Sequence, residues 1–280
     1  MITQEIIDAA NKMNISEIGF VDATEFSKKE ISSQSEFIKK SSMTDVFSVM
    51  ENAKSIIVFL VPYKTNAVGE NISRYALGTD YHTVCSDISA VLCKILENHG
   101  YSALSFTDSG ELNERALAVC AGLGVRGKNG FVINKKYGSY TFISYIVTDC
   151  RFLPSSPLTS SCIKCGKCIK SCPGGALGNG FDEKKCASYI TQKKGELSEN
   201  EKNIIKKASS AWGCDICQNV CPMNKNALNT LLPQFSANLI THLEKEDISC
   251  REFKRKYSKR AFSWRGKAVI DRNLSILDEK

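Results

Sequence analysis

Cys162-Ile-Lys-Cys165-Gly-Lys-Cys168-Ile-Lys-Ser-Cys172-Pro173 is the stretch that decides the architecture of this 280-residue chain, and Cys214-Asp-Ile-Cys217-Gln-Asn-Val-Cys221-Pro222 answers it after a lone Cys186. Three thiolates at two-residue intervals wrap one iron–sulfur cube from a single tight loop. The fourth, three residues on and followed by proline, points at a neighbouring cube. The spacing therefore predicts two 4Fe-4S clusters that exchange their last cysteines: Cys162, Cys165, Cys168 and Cys221 on one, Cys172, Cys186, Cys214 and Cys217 on the other. Structural zinc predicts two separated pairs instead of a third cysteine at the same short interval. Disulfides need an oxidising compartment, and the start MITQEIIDAANK lacks the basic, apolar and small-residue succession of a signal peptide, so a cytoplasmic location is expected. Cys85, Cys93, Cys120, Cys150 and Cys250 are scattered and read as small buried apolar residues.

Working outward, 42% apolar and 24% charged residues are ordinary for a soluble globular protein with ample core. The longest apolar run, Ile56 to Val61, stops at Pro62 and is too short to span a bilayer, so no membrane partner is expected. The formal charge of +7 is unevenly placed: Arg251, Lys254, Arg255, Lys256, Lys259, Arg260, Arg265 and Lys267 face the single acid Glu252. With Phe253, Tyr257, Phe262 and Trp264 interleaved, this reads as an amphipathic helix and turn whose basic face suits a phosphate backbone, or equally as a solvated flank closing the fold. Before the cysteines, periodicity predicts a helix over 2–13, strands over 17–22 and 54–63, a helix over 79–99 ending at Gly100, a strand over 103–107, a helix over 111–120, and strands over 130–134 and 140–147. The expected fold class is α+β: an N-terminal α/β catalytic domain (1–154), a ferredoxin-like double-cluster domain (155–235) that depends on its metal for folding, and a basic helical extension (236–280).

Ser73-Arg-Tyr-Ala-Leu-Gly-Thr-Asp-Tyr-His82, Asp108-Ser-Gly-x4-Arg115-Ala, Ala121-Gly-Leu-Gly-x2-Gly-Lys-Asn129, Tyr137-Gly-Ser139, Cys186-Ala-Ser-Tyr-Ile-Thr191, Gly213-Cys-Asp-Ile-Cys-Gln218 and Arg272-Asn-Leu274 together resemble the epoxyqueuosine reductases, cobalamin-dependent iron–sulfur enzymes of tRNA modification. The resemblance runs in order through most of the chain. It implies reduction of epoxyqueuosine to queuosine in tRNA, with electrons passing from an external low-potential donor, such as a flavodoxin or ferredoxin, through two clusters to cobalamin, in a protein expected to be monomeric. It further implies Asp108 as the proton-donating acid, with Arg115 orienting substrate or acid. Ser73, Arg74, Tyr75, Asp108, Lys128, Asn129, Val132, Ile143, Ser188 and Asp215 would bind the cofactor, without a histidine beneath the cobalt. The C-terminal helical repeats of that family do not appear in the sequence, so Lys193, Lys194, Lys254, Arg255, Lys259 and Arg260 are expected to contact tRNA in their place.

Other readings stand beside these. Asp108-x-x-Glu111 has the form of a capping box, which would make Asp108 an N-cap. The run Gly122-x-Gly124-x-x-Gly127-Lys128-Asn129 is a poor dinucleotide fingerprint because its glycines follow a helix; close approach to a corrinoid, or a plain helix-stop loop, accounts for it better. His82 is left unassigned, and His99 and His242 read as helix-end or surface residues. Val125-Arg126 and Ser144-Tyr145 depart from the family pattern, so a reshaped pocket is expected. A corrinoid reductase of a small molecule, resembling reductive dehalogenases, and a non-catalytic electron-transfer module are the alternatives.

Overall fold

The computed structural model describes residues 2–28, 44–178, 180–249 and 252–279; Cys250 and Arg251 lie outside them. Its centre is a four-stranded sheet in the order β1 (Ile18–Asp22), β2 (Ser55–Pro62), β6 (Thr141–Thr148), β3 (Ala103–Thr107), with β4 (Val125–Arg126) and β5 (Val132–Ile133) forming a separate short hairpin. Strands and helices alternate along the chain as periodicity predicts, yet every pairing in the sheet is antiparallel. Alternation in sequence does not determine strand direction, because β2 and β6 are neighbours in the sheet only after 78 intervening residues have crossed over it.

β2 is central because Ser-Ile-Ile-Val-Phe-Leu-Val-Pro is apolar almost throughout, and all eight of its residues are buried. Ile57, Phe59 and Val61 meet helix α1 (Ile2–Lys12) and helix α2 (Tyr81–Asn98) on one face. Ile56, Val58 and Leu60 meet Leu117 and Ala118 of helix α3 (Glu114–Cys120) on the other. The α2 residues Val84, Ile88, Leu92 and Leu96, four apart, supply its buried stripe. The result is a sheet covered by helices on both faces.

The cysteine segment folds against this layer with little regular structure of its own. Its longest helix, α4 (Glu199–Ala208), shares a small core with α5 (Lys267–Asp278) of the C-terminal segment, in which Ile276 packs with Ile190, Ile204 and Ile205. The C-terminal segment is integrated into the molecule: Ile72, Leu77, Trp212, Phe253, Tyr257, Phe262, Ile270 and Leu274 form one buried cluster, while Leu232 and Phe235 join the sheet core. Buried Asn273 on α5 donates to the Thr191 carbonyl at 2.7 Å and the Ala211 carbonyl at 2.8 Å, tying α5 to the short helix Ala187–Gln192 before α4 and to the loop after it.

The helix expected over 111–120 starts at Glu114, and its N-cap is Asn113, whose side chain accepts the Ala116 N–H at 3.0 Å. Asp108 is therefore not the cap. It sits at φ +60° in the preceding turn, a conformation Asp tolerates better than most side chains. The strand expected over 130–134 shrinks to Val132–Ile133 in the β4–β5 hairpin.

Candidate active site

A cavity of about 410 Å³ opens between the sheet and the cysteine segment. Cys172, Cys186, Cys214 and Cys217 line one side, and Tyr81, Asp108, Glu114, Arg115 and Arg126 line another. Ser73, Tyr75, Asn129, Val132, Phe142, Ile143 and Ser188 also line the cavity. Cys162, Cys165, Cys168 and Cys221 line a separate small gap together with Lys128, Ile163, Lys164 and Met223. The eight cysteines thus fall into the two mixed sets that spacing predicts, one against the cavity and one nearer the surface, where Cys165 is exposed.

Each set is built for thiolates. The Ala176 N–H points at Cys172 Sγ at 3.2 Å, Ser188 and Tyr189 direct theirs at Cys186, Ile216 at Cys214 and Ile169 at Cys168. Such donors stabilise metal-bound sulfur. Burial pushes the Cys214 thiol up to about 12, and the proximity of Cys186, Asp215 and Cys172 adds to the rise. Among the described residues no three His, Cys, Asp or Glu side chains converge on a single metal ion, but thiols that raise one another in this way can all ionise together only around a positive centre.

Of the ten expected cofactor residues, Ser73, Tyr75, Asp108, Asn129, Val132, Ile143 and Ser188 line the cavity. The other three have different work. Arg74 donates to the Ala67 carbonyl at 2.6 Å. Asp215, its pKa raised by burial, accepts the Arg74 backbone N–H at 2.7 Å and the Ser73 hydroxyl, so it straps the 73–75 turn to the loop carrying Cys214 and Cys217. Lys128 belongs to the small gap. Gly213, at φ +72°, permits this close approach, since a Cβ there would come within 2.5 Å of Ser73 Cβ.

Gly122, Gly124 and Gly127 make no approach to the cavity. A Cβ on them would strike Ser156 O, Val132 Cγ1 and Asn129 Oδ1 respectively, so the glycines serve a helix stop and a tight hairpin instead of a corrinoid. From this stretch it is Arg126, Asn129, Gly130, Phe131 and Val132 that reach the cavity wall.

Asp108 is held from α2, and the turn that carries it from β6. The Tyr81 hydroxyl, in the first turn of α2, donates to Asp108 Oδ2 at 2.5 Å, and His82 Nε2 stands 3.8 Å from the same oxygen. Tyr145 on β6 pins the turn itself, its hydroxyl accepting the Leu112 N–H at 3.2 Å. A Cβ on Gly110 would lie 2.0 Å from that hydroxyl, so only glycine fits beneath it. Ser144, the other half of the departing pair, meets Thr107 at 2.8 Å between hydroxyls. The Asp108 side chain is 58% exposed, so the protein alone does not bury it.

Glu114 was not singled out from the sequence. Burial raises its carboxyl to about 7; the nearby Arg115 opposes the rise, Asp108 adds to it, and the Asp108 backbone N–H donates to the carboxylate. Glu-Arg at the start of a helix looks like an ordinary charged pair, and only the fold reveals that it faces a cavity.

The expected tRNA contacts divide. Lys194, Lys254 and Lys259 are exposed, and Arg255, also exposed, pairs with Glu252. Lys193 pairs with Glu201 at 2.7 Å. Arg260 donates to the Leu77 carbonyl at 2.9 Å and to the Asn238 carbonyl at 2.5 Å, and Phe253, Tyr257 and Phe262 are buried. The segment is therefore a structural closure with a basic outer face.

A sheet layer joined through a cavity to two sets of four cysteines defines an iron–sulfur oxidoreductase. Residues 161–224 match the family model for a 4Fe-4S double cluster binding domain, and residues 44–109 match that of "Epoxyqueuosine reductase QueG, DUF1730". The epoxyqueuosine reductase of Bacillus anthracis is 33% identical over 98% of this chain and 79% of its own length, and that of Staphylococcus aureus is 34% identical over 98% and 79%. The chain belongs to the epoxyqueuosine reductase family. A crystal structure of a selenomethionine-labelled epoxyqueuosine reductase superposes with a TM-score of 0.85 at 27% identity, covering 98% of this chain and 80% of that one. Another, with an epoxyqueuosine-modified tRNA-Tyr stem loop, gives 0.83 at 28% identity with the same coverage. A reductive dehalogenase described as B12-dependent shares the fold at a TM-score of 0.52 and 16% identity, covering 97% of this chain and 35% of that one.

Proposed function

We propose that the protein reduces epoxyqueuosine to queuosine in tRNA, with Asp108 as proton donor, two 4Fe-4S clusters on the two cysteine sets and cobalamin in the cavity. The observation that carries this reading is the single cavity that has Cys172, Cys186, Cys214 and Cys217 on one side and Asp108 on another. The largely apolar wall of Tyr75, Val132, Phe142 and Ile143, with no histidine among the lining residues, fits a corrinoid without a histidine ligand. Bound there, cobalamin would supply low-potential reducing power beside the acid.

The chain's own residues then have defined tasks. Ser73 and Tyr75, strapped by Asp215, hold the cofactor-facing turn next to the inner cysteine set. Asp108 delivers a proton to the departing epoxide oxygen, a poor leaving group that needs one. Arg115, on the same wall, orients the acid or the substrate. The balance is epoxide plus two electrons and two protons to alkene plus water. Electrons would enter from a low-potential carrier on the side of exposed Cys165, and Lys194, Lys254 and Lys259 would meet tRNA phosphates. The sheet unit (1–154), the cluster unit (155–235) and the closing segment (236–280) serve catalysis, electron supply and closure.

The test is anaerobic reconstitution with iron, sulfide and cobalamin, followed by incubation with epoxyqueuosine-containing tRNA and a chemical reductant. Queuosine should appear in nucleoside digests. Cobalamin binding without conversion of the tRNA, together with turnover of a small-molecule electrophile, would replace the reading with that of a small-molecule corrinoid reductase.

A further inference from the structure

We propose that His82 is the proton reservoir that rearms Asp108 between turnovers. The inference rests on the reading of Asp108 as the acid, and it assigns a role to a histidine that neither spacing nor fold class explains.

The geometry is directional. Asp80 Oδ1 accepts the His82 backbone N–H at 3.0 Å and lies 2.8 Å from His82 Nδ1. A carboxylate on Nδ1 keeps the proton on that nitrogen and fixes the ring's orientation. Nε2 is then the nitrogen that gains and loses a proton, and it stands 3.8 Å from Asp108 Oδ2. The ring cannot swing freely, because it stacks on Tyr81 at 4.1 Å between centroids, and Tyr81 stacks on Phe142 of β6 at 4.1 Å. Asp80 is itself held from another element, its N–H donating to the Lys259 carbonyl at 2.8 Å.

The position suits proton intake. Asp108 lines the cavity, whereas the His82 side chain is not on its wall and is 52% exposed to solvent. Once substrate covers the cavity face of Asp108, the imidazole remains a path from water to its carboxyl. The charged and titratable groups around it are Asp80 and Tyr81 on its own helix and Asp108 on the β3–α3 turn, with Glu114, Arg115 and Arg126 further along the cavity wall. The hydrogen bond to Asp80 raises the His82 pKa; burial opposes this, and the charges of Asp80 and Asp108 add to it. Tyr81 is raised far above the neutral range, first by burial and then by Asp108, so near neutral pH it keeps its proton. Of the two side chains beside Asp108, His82 and not Tyr81 therefore exchanges a proton there.

The step is a proton transfer with no electron bookkeeping. After Asp108 gives its proton to the epoxide oxygen, the Nε2–H of cationic His82 is relayed across the 3.8 Å gap through one solvent water to Asp108 Oδ2, and a further water reprotonates Nε2. Of the two protons that one reduction consumes, Asp108 supplies the one that assists departure of the epoxide oxygen and solvent supplies the one that completes water, so an acid that could not be rearmed would stop after one turnover.

Two measurements test this. The chain has three histidines, so the His82 imidazole signals can be assigned by comparison with His82→Gln and titrated in the protein without substrate. Asp108→Asn should lower the His82 pKa by roughly half a unit, as expected for loss of a charge near 4 Å in a wet site. In the reconstituted enzyme, His82→Gln keeps a donor toward Asp80 but cannot carry the proton. Its single-turnover rate should stay within about twofold of wild type while steady-state turnover falls about tenfold or more, and imidazole should restore turnover in His82→Ala. Wild-type steady-state turnover should fall as pH rises through the His82 pKa, and the variant should lose that limb. A His82 pKa indifferent to Asp108→Asn overturns the proposal. So does a His82→Gln enzyme with unchanged steady state, or one whose single and multiple turnovers fall together, as a purely structural role predicts. A wild-type holoenzyme that never converts epoxyqueuosine overturns the functional reading and this one with it, whereas conversion without dependence on His82 overturns this one alone.

Discussion

Asp108 shows how much a single residue's role depends on what surrounds it. As a sequence feature it resembles a helix cap, but Asn113 takes that position, and Tyr81, His82 and the turn pinned by Tyr145 surround the aspartate instead. Asp108→Asn keeps the size and the hydrogen bond from Tyr81 while removing the transferable proton. We expect wild-type thermal stability and cobalamin binding, with epoxide reduction lowered by about a hundredfold or more, measured as queuosine formed per enzyme. Glu114 gives a pH-dependent prediction. Its folded pKa of about 7 lies above the ordinary carboxylate value, so the folded state holds an extra proton and stability declines as pH rises through that window. Urea midpoints should fall from pH 5 to pH 8 in the wild type, and fall less in Glu114→Gln. Neither assignment was legible locally. The residues that define Asp108's surroundings lie 27 positions upstream, at Tyr81, and 37 downstream, at Tyr145, and they meet it only after the sheet forms.

At the scale of elements, what the sequence displayed most plainly were features with short-range causes. β2 is an unbroken apolar run closed by proline, α2 carries a four-residue stripe with Asp80 as its cap, and cysteine spacing anticipates the two mixed sets. The glycine run misled because close approach to a ligand and close approach to one's own chain require the same absent side chain. The exchange of terminal cysteines is testable: Cys172→Ala should remove the iron held by Cys186, Cys214 and Cys217, leaving about half the wild-type iron and sulfide. The basic closing segment yields a contrast within one element. Lys254→Glu with Lys259→Glu should weaken tRNA binding and lower its salt slope by about two units, at unchanged stability. Arg260→Ala should instead destabilise the protein by about 2 kcal/mol, because its guanidinium serves two backbone carbonyls.

For the whole molecule, the sheet has a core on each face, whereas the cysteine segment has mostly loops and completes its small core around α4 with Ile276 of α5. Iron removal should therefore expose the backbone of 162–221 while strands β2 and β6 stay protected, a difference that amide hydrogen exchange would resolve. Loss of protection in both regions together would mean that the clusters hold up the entire fold. The burial of Trp212 has an optical consequence. The chain's two tryptophans occupy opposite settings: Trp212 is fully buried two residues before Cys214, while Trp264 is 60% exposed beneath the Arg265 guanidinium. Iron–sulfur clusters absorb broadly where tryptophan emits, so loading the inner cysteine set should selectively extinguish the blue-shifted component of the fluorescence. The red-shifted component would remain as an internal standard, giving the protein a ratiometric reporter of its own cluster assembly without any added label.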